Sequence, residues 1–84
     1  MVGSLGIDAG GGTDAVSLNT VNVGSSDLSV EEGPGNFDSL AVVNCTAGTE
    51  EFSDTGGTNG TIVGASNHFA TSPMVIDFSH RVGI

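Results

Sequence analysis

The chain is predicted to be all-β, a small antiparallel β-sandwich or barrel of about six to eight short strands with no substantial helix. Three observations carry that expectation. Short β-branched runs recur every ~8–12 residues, cut by Gly, Asn, Asp and Ser. No window keeps apolar residues at i, i+3 and i+4 long enough for an amphipathic helix. Helix formers are scarce, with no Lys, no Gln and a single Arg.

Each element follows from local pattern. Ser4–Asp8 reads as a first strand, and Gly10-Gly11-Gly12 as a turn, because three glycines cost too much backbone entropy inside an element. Between Ala15 and Val23 the apolar residues fall at Val16 and Leu18, then slip phase to Val21 and Val23. A one-residue slip exchanges the two faces of a strand, so a bulge or tight turn is expected near Asn19-Thr20. Gly24–Asp27 is a turn, and Leu28 and Val30 then face one way.

Gly33-Pro34-Gly35-Asn36 is the strongest breaker. Leu40–Val43 is a continuous apolar run, expected to be a central strand buried on both faces, with Cys45 in the same stretch. A strand around Glu50–Ser53 precedes a loop at Asp54–Gly60. Three further strands are expected at Thr61–Ala65, His68–Thr71 and Met74–Ser79. Pro73 falls between two of them, where its missing N–H costs nothing. With no linker and no fixed-period repeat apparent, residues 1–84 read as one domain.

Charge excludes more than it suggests. Ten acidic residues face one cation, Arg81, for a formal net charge of −9. Nucleic-acid binding needs Lys or Arg to displace counterions from phosphates, so no nucleic-acid partner is expected. Anionic membrane surfaces are disfavoured for the same reason. No stretch approaches the ~20 apolar residues of a membrane span, and residues 1–15 lack the basic start and apolar run of a signal peptide.

The stretch Leu5–Leu18, LGIDAGGGTDAVSL, holds the most suggestive motif. An apolar strand ending in Asp8, then glycines and Thr13, resembles the first phosphate loop of the actin-like sugar-kinase and Hsp70 ATPase superfamily. That resemblance implies Asp8 near a metal and Gly10 to Thr13 along phosphates. It spans about 14 residues, and the family's two large lobes and second phosphate loop have no counterpart. Gly10, Gly12, Asp14 and Val16 also resemble one copy of the calcium-binding nonapeptide repeat of secreted toxins, with Ala9 where a glycine is usual. That resemblance implies calcium held by Asp8 and Asp14 as hard oxygen ligands.

His68 and His80 are the candidates for general-base work. Neither sits in a recognisable nucleophile motif, so no catalytic residue and no organic cofactor are expected. Cys45 cannot form an intrachain disulfide, being alone, and reads as a buried thiol. Asn44-Cys45-Thr46 and Asn59-Gly60-Thr61 match the glycosylation sequon.

A chain with 14 glycines and no Trp or Tyr has little core material, and small proteins offset that with disulfides, metals or partners. Association is the route expected here. A non-enzymatic structural subunit of a repetitive assembly is the leading expectation, partnered by copies of itself and a larger shell or filament. A virus-particle decoration protein is favoured within that class, located in the virion. The alternatives are an extracellular or cell-surface adhesin-like or carbohydrate-binding β-domain, or a filament subunit, with calcium as a stabilising ion. The termini, 1–8 and 74–84, are expected to exchange strands, with Val2, Leu5, His80, Arg81, Val82 and Ile84 at the interface.

Overall fold

The computed structural model describes residues 3–84. Among them are twelve strands and no helix. In chain order these are β1 (Leu5–Asp8), β2 (Ala15–Asn19), β3 (Asp27–Glu31), β4 (Gly35–Asn36), β5 (Ser39–Val43) and β6 (Thr46–Ala47). There follow β7 (Thr49–Ser53), β8 (Gly57–Thr58), β9 (Thr61–Ala65), β10 (His68–Phe69), β11 (Met74–Ile76) and β12 (His80–Val82).

Every strand pairing is parallel. Asp27 lies beside Thr49, Leu5 beside Leu28, and Ala15 beside Ser39, so successive coils are offset by 22, 23 and 24 residues. Each coil gives one strand to each of two four-stranded sheets, β1-β3-β7-β11 and β2-β5-β9-β12. Two-stranded corners, β4-β8 and β6-β10, close the cross-section. The chain is a β-solenoid of four coils, not an antiparallel sandwich or barrel of about six to eight strands. A repeat does exist, too degenerate in sequence to stand out as a period.

The error has a physical source. Sandwich and solenoid both ask for short strands with alternate residues inward and breakers between them. They differ in what the breaker does. A hairpin reverses the chain through two adjacent turn residues, whereas here single left-handed residues bend it around the coil. Thr20, Asn44 and Ser66 have φ of 59°, 55° and 57°. They stack, the Thr20 N–H donating to the Val43 carbonyl and the Asn44 N–H to that of Ala65. The turn expected near Asn19-Thr20 is the first of these corners.

Inward rows run across the coils. Ile7, Val30, Phe52 and Val75 share one, and Val16, Leu40, Ile62 and Arg81 another. Leu28, Val30 and Phe52 of one sheet meet Leu18, Leu40, Val42 and Ile62 of the other in a single buried cluster. At ~25 cal/mol per Å² of apolar surface removed from water, this cluster supplies the main stabilising term. β5 is central in its sheet, but only Leu40 and Val42 are buried, its other residues being intermediate or exposed. Cys45 lies beyond β5, at the corner, and is buried and free.

Coils approach closely where the corners stack. A Cβ on Gly35 would stand 2.0 Å from the Gly12 carbonyl oxygen, so no side chain fits there. The glycine triplet 10–12 and Gly33-Pro34-Gly35 are thus the same corner on successive coils, and Thr55-Gly56-Gly57 repeats it on the third.

Candidate functional site

The corner joining the two large sheets is a loop in the first three coils, spanning 9–14, 32–38 and 54–60. Its first and last residues form a neck that opens onto the interior. Glu32 and Asp38 are the two sides of the second neck, Asp14 closes the first, and Asp54 opens the third. The backbone ladder stacks them: the Ser39 N–H donates to the Asp14 carbonyl, and the Thr61 N–H to that of Asp38.

Three of these acids are sealed from water, and Asp14 is partly buried. Glu32 and Asp54 are 0 % exposed and Asp38 1 %. Both carboxyl oxygens of Glu32 and of Asp54, and one each of Asp14 and Asp38, are buried without a hydrogen-bond partner among the described residues. The other Asp38 oxygen, Oδ1, accepts the Asp14 N–H at 2.7 Å. Asp54 fills its own loop, since a Cβ at Gly57 or Gly60 would run into its carboxylate. Burial, then the charges of Asp38 and Asp54, pushes the Glu32 carboxyl up to about 8. Burial also raises Asp54, followed by the hydrogen bond its carboxyl shares with that of Asp38 when one of the two is protonated.

Among the described residues, no cationic side chain answers this charge. Arg81 is the only Lys or Arg in the chain and is exposed on β12. His68 and His80 are exposed on different sheets. Among the described residues, no three or more His, Cys, Asp or Glu side chains are grouped to hold a metal ion. The neck is therefore a set of converging acids that must be protonated, or neutralised from outside, for the fold to tolerate it.

The adjacent Glu31 shows the opposite solution. Its carboxylate accepts from Ser53 Oγ at 2.5 Å, Gly33 N at 2.7 Å, Thr55 Oγ1 at 3.0 Å and Thr55 N at 3.2 Å. The Ser53 hydroxyl leads in holding its pKa below the ordinary range. Glu50 is a further buried acid, 2 % exposed, with both oxygens unpartnered. It stands apart: burial alone raises its pKa, with no other carboxylate contributing.

The sequence-predicted residues fall differently. Asp14 joins the neck, whereas Asp8 is exposed and accepts the Gly10 N–H at 3.1 Å, so the pair Asp8 and Asp14 is not the acid cluster. The glycine triplet is a solenoid corner, with the Gly12 N–H donated to the Pro34 carbonyl at 3.1 Å and so not free for a phosphate. Asn59 Nδ2 donates to Asn36 Oδ1 at 2.8 Å, on the stacked outer corner. At the interface positions, His80, Arg81 and Val82 are exposed on the last coil, while Leu5 and Ile84 are partly buried against the core. Val2 lies outside the described residues.

Glu32, Asp38 and Asp54 were not singled out from sequence. The signal that could have found them is the neck's spacing, an acid six residues before another acid at Glu32 and Asp38, with Asp54 22 residues on from Glu32 in the pairing register. It becomes visible only once the coil period is known.

A surface groove lined by Ser66, Asn67, Phe69, Pro73 and Ile84 among others carries no titratable side chain, while a smaller and more enclosed one is lined by Asp27, Ser29, Thr49 and Glu51. The first groove presents the hydroxyls of Ser66, Thr71 and Ser72 with no general base in its lining to activate them. Comparison with protein-family models, with curated proteins and with solved structures finds no match to this chain.

Proposed function

We propose that the chain is a non-enzymatic structural module that joins a repetitive assembly by adding coil to coil. One observation carries the reading: among the described residues both large sheets end on strands with no further neighbour, β1 and β2 on the first coil, β11 and β12 on the last. Such edges carry rows of free N–H and C=O groups, a template for another strand. Partly buried Leu5, Ile7 and Val16 line one open end of the core, and Val75 and Ile84 the other. Parallel coils have the same polarity at both ends, so copies would stack head to tail, a contact that repeats rather than closes.

Arg81 fits the same reading. It continues the inward row Val16–Leu40–Ile62 at the open end of the last coil. The next copy's first coil would bring Asp14 to this corner, giving the sole cation an acid across the joint. Charge of −9 per copy opposes stacking at low ionic strength and is screened as salt rises. A virus particle or a cell-surface fibre would use such a module alike, so the proposal concerns the stacking and names no host structure.

Sedimentation across protein and salt concentration tests it. The chain should form linear species that grow with both. Arg81→Glu, or Val75→Glu at the open core end, should suppress them while the monomer stays folded. A wild-type chain that sediments at 8.3 kDa under every condition contradicts the reading.

A surface-binding module is the second reading, favoured by Phe37. This side chain is 66 % exposed on a left-handed backbone (φ 60°), a conformation bulky residues rarely adopt. Phe37→Ala should leave stability unchanged or improve it; a clear loss of stability would show that the ring packs on its own chain and would remove the reading.

A further inference from the structure

We propose that the acidic neck is a calcium site, in which Glu32, Asp38 and Asp54, with Asp14 at its margin, hold one divalent cation inside the coil.

Two independent observations meet here. The first is convergence: successive corners stack their neck residues, so three coils deliver carboxylates to one place. The second is the orphaned oxygens. Six buried carboxyl oxygens from these four side chains have no donor among the described residues, and Glu32 and Asp54 are wholly enclosed. An exposed acid cluster would be a solvated face. A buried one carries a desolvation cost that protein groups here do not offset.

The chemistry selects the ion. The donors are oxygens only: both histidines are exposed elsewhere, and Cys45 lies in a different corner. Hard oxygen ligands suit calcium and magnesium over zinc or copper. Calcium accepts six to eight oxygens in irregular geometry, so carboxylates can be completed by corner carbonyls and water. Magnesium demands a near-ideal octahedron at shorter distance, which carboxylates set by three separate coils do not provide. As the side chains stand, no three of the described His, Cys, Asp or Glu residues are grouped to hold a metal ion, so binding requires the neck carboxylates to rearrange around it. This site differs from the Asp8 and Asp14 pair that the glycine motif suggests, and Asp8 has no part in it.

The experiment is calorimetric titration of the full chain, freed of metal with EDTA, against calcium and separately magnesium at physiological salt. One calcium per chain is expected, with magnesium much weaker. Glu32→Gln, Asp38→Asn and Asp54→Asn should each weaken calcium by at least about tenfold, since ligand charge sets affinity in such sites. Asp8→Asn and Glu51→Gln, which remove exposed charges, should leave it unchanged. Free calcium near one hundred times Kd should raise the wild-type Tm by roughly 10–20 °C. The neck variants should be folded in EDTA and melt no lower than wild type, because each removes a buried charge while preserving shape.

Three results would overturn the proposal. Absence of calcium binding by the wild type, with neck variants more stable than wild type in any buffer, means that the acids share protons. Equal binding of calcium and magnesium that Asp8→Asn weakens as much as Asp54→Asn means a diffuse polyanion effect. Binding that survives all three neck substitutions places the ion elsewhere.

Discussion

Two corners of the same coil meet the problem of buried polar groups in opposite ways. At the corner of Thr20, Asn44 and Ser66, a neutral amide completes the backbone: Asn67 Oδ1 accepts the Cys45 N–H at 2.8 Å, and its Nδ2 donates to the Val42 carbonyl at 2.9 Å. At the opposite corner, Glu32, Asp38 and Asp54 face one another with most of their oxygens unpaired. An amide carries donor and acceptor together, so it can be satisfied within the chain. A carboxylate is acceptor-only, and this chain has one cation to offer ten acids. The first corner is complete as it stands, and the second is completed by a proton or a metal ion.

Breaking the satisfied corner should cost most. Asn67→Ala strands the Cys45 N–H and the Val42 carbonyl and should lower stability by about 2–4 kcal/mol, read by urea unfolding, with no dependence on calcium. A smaller change, of opposite sign, is expected at Glu50. Its register row runs Leu5, Leu28, Glu50, so Glu50→Leu continues an apolar row and should stabilise by about 1–3 kcal/mol at neutral pH. Calcium should not substitute for that change, since no second carboxylate stands beside Glu50. Glu31→Ala removes the acceptor shared by Gly33, Ser53 and Thr55, of which Gly33 and Ser53 are buried, for a loss of about 1–3 kcal/mol.

Glu31 and Glu32 also separate by the sign of their pH dependence. Glu31 has a lowered pKa, so the folded chain releases a proton that the unfolded chain keeps. Its contribution is present above the ordinary carboxylate range and is lost as pH falls through the folded value. Glu32 has a raised pKa, so the folded chain keeps a proton that the unfolded chain has released. Stability should therefore fall as pH rises from the ordinary range toward about 8, above which the carboxyl is ionised in the folded chain as well and the fall levels off. The charged groups acting on Glu32 are Asp38, Asp54, Asp14 and Glu31, all acids, so none opposes that direction.

Most of the longer strands were legible in the sequence to within a residue or two, but the one expected over Met74–Ser79 ends at Ile76, and the short strands β4, β6, β8 and β12 were not expected. Thr61–Ala65 is a strand as expected, Leu5–Asp8 begins one residue late, and the phase slip at Asn19-Thr20 marks a real corner. Pairing was not legible. The rows align inwardness rather than identity, so Ile7, Val30, Phe52 and Val75 share a place without resembling one another. The acids obscured the period further, since Glu50 occupies an apolar row and Glu32 sits where polar residues normally signal a loop on the surface. Corner lengths vary as well: the last coil replaces the seven-residue loop by Asp77–Ser79, with Phe78 buried in it. The clearest trace is backbone, in the recurrent glycine corners at 10–12, 33–35 and 55–57, which read singly as turns and together as a coil.

The claim that the acidic neck awaits a cation is tested most directly by melting the full chain from acid to mildly alkaline pH, in EDTA and in calcium. In EDTA, Tm should fall as pH rises toward about 8, and calcium should abolish or reverse that fall, because metal binding requires the carboxylates to be deprotonated. Two superimposable curves, with and without calcium, would contradict it.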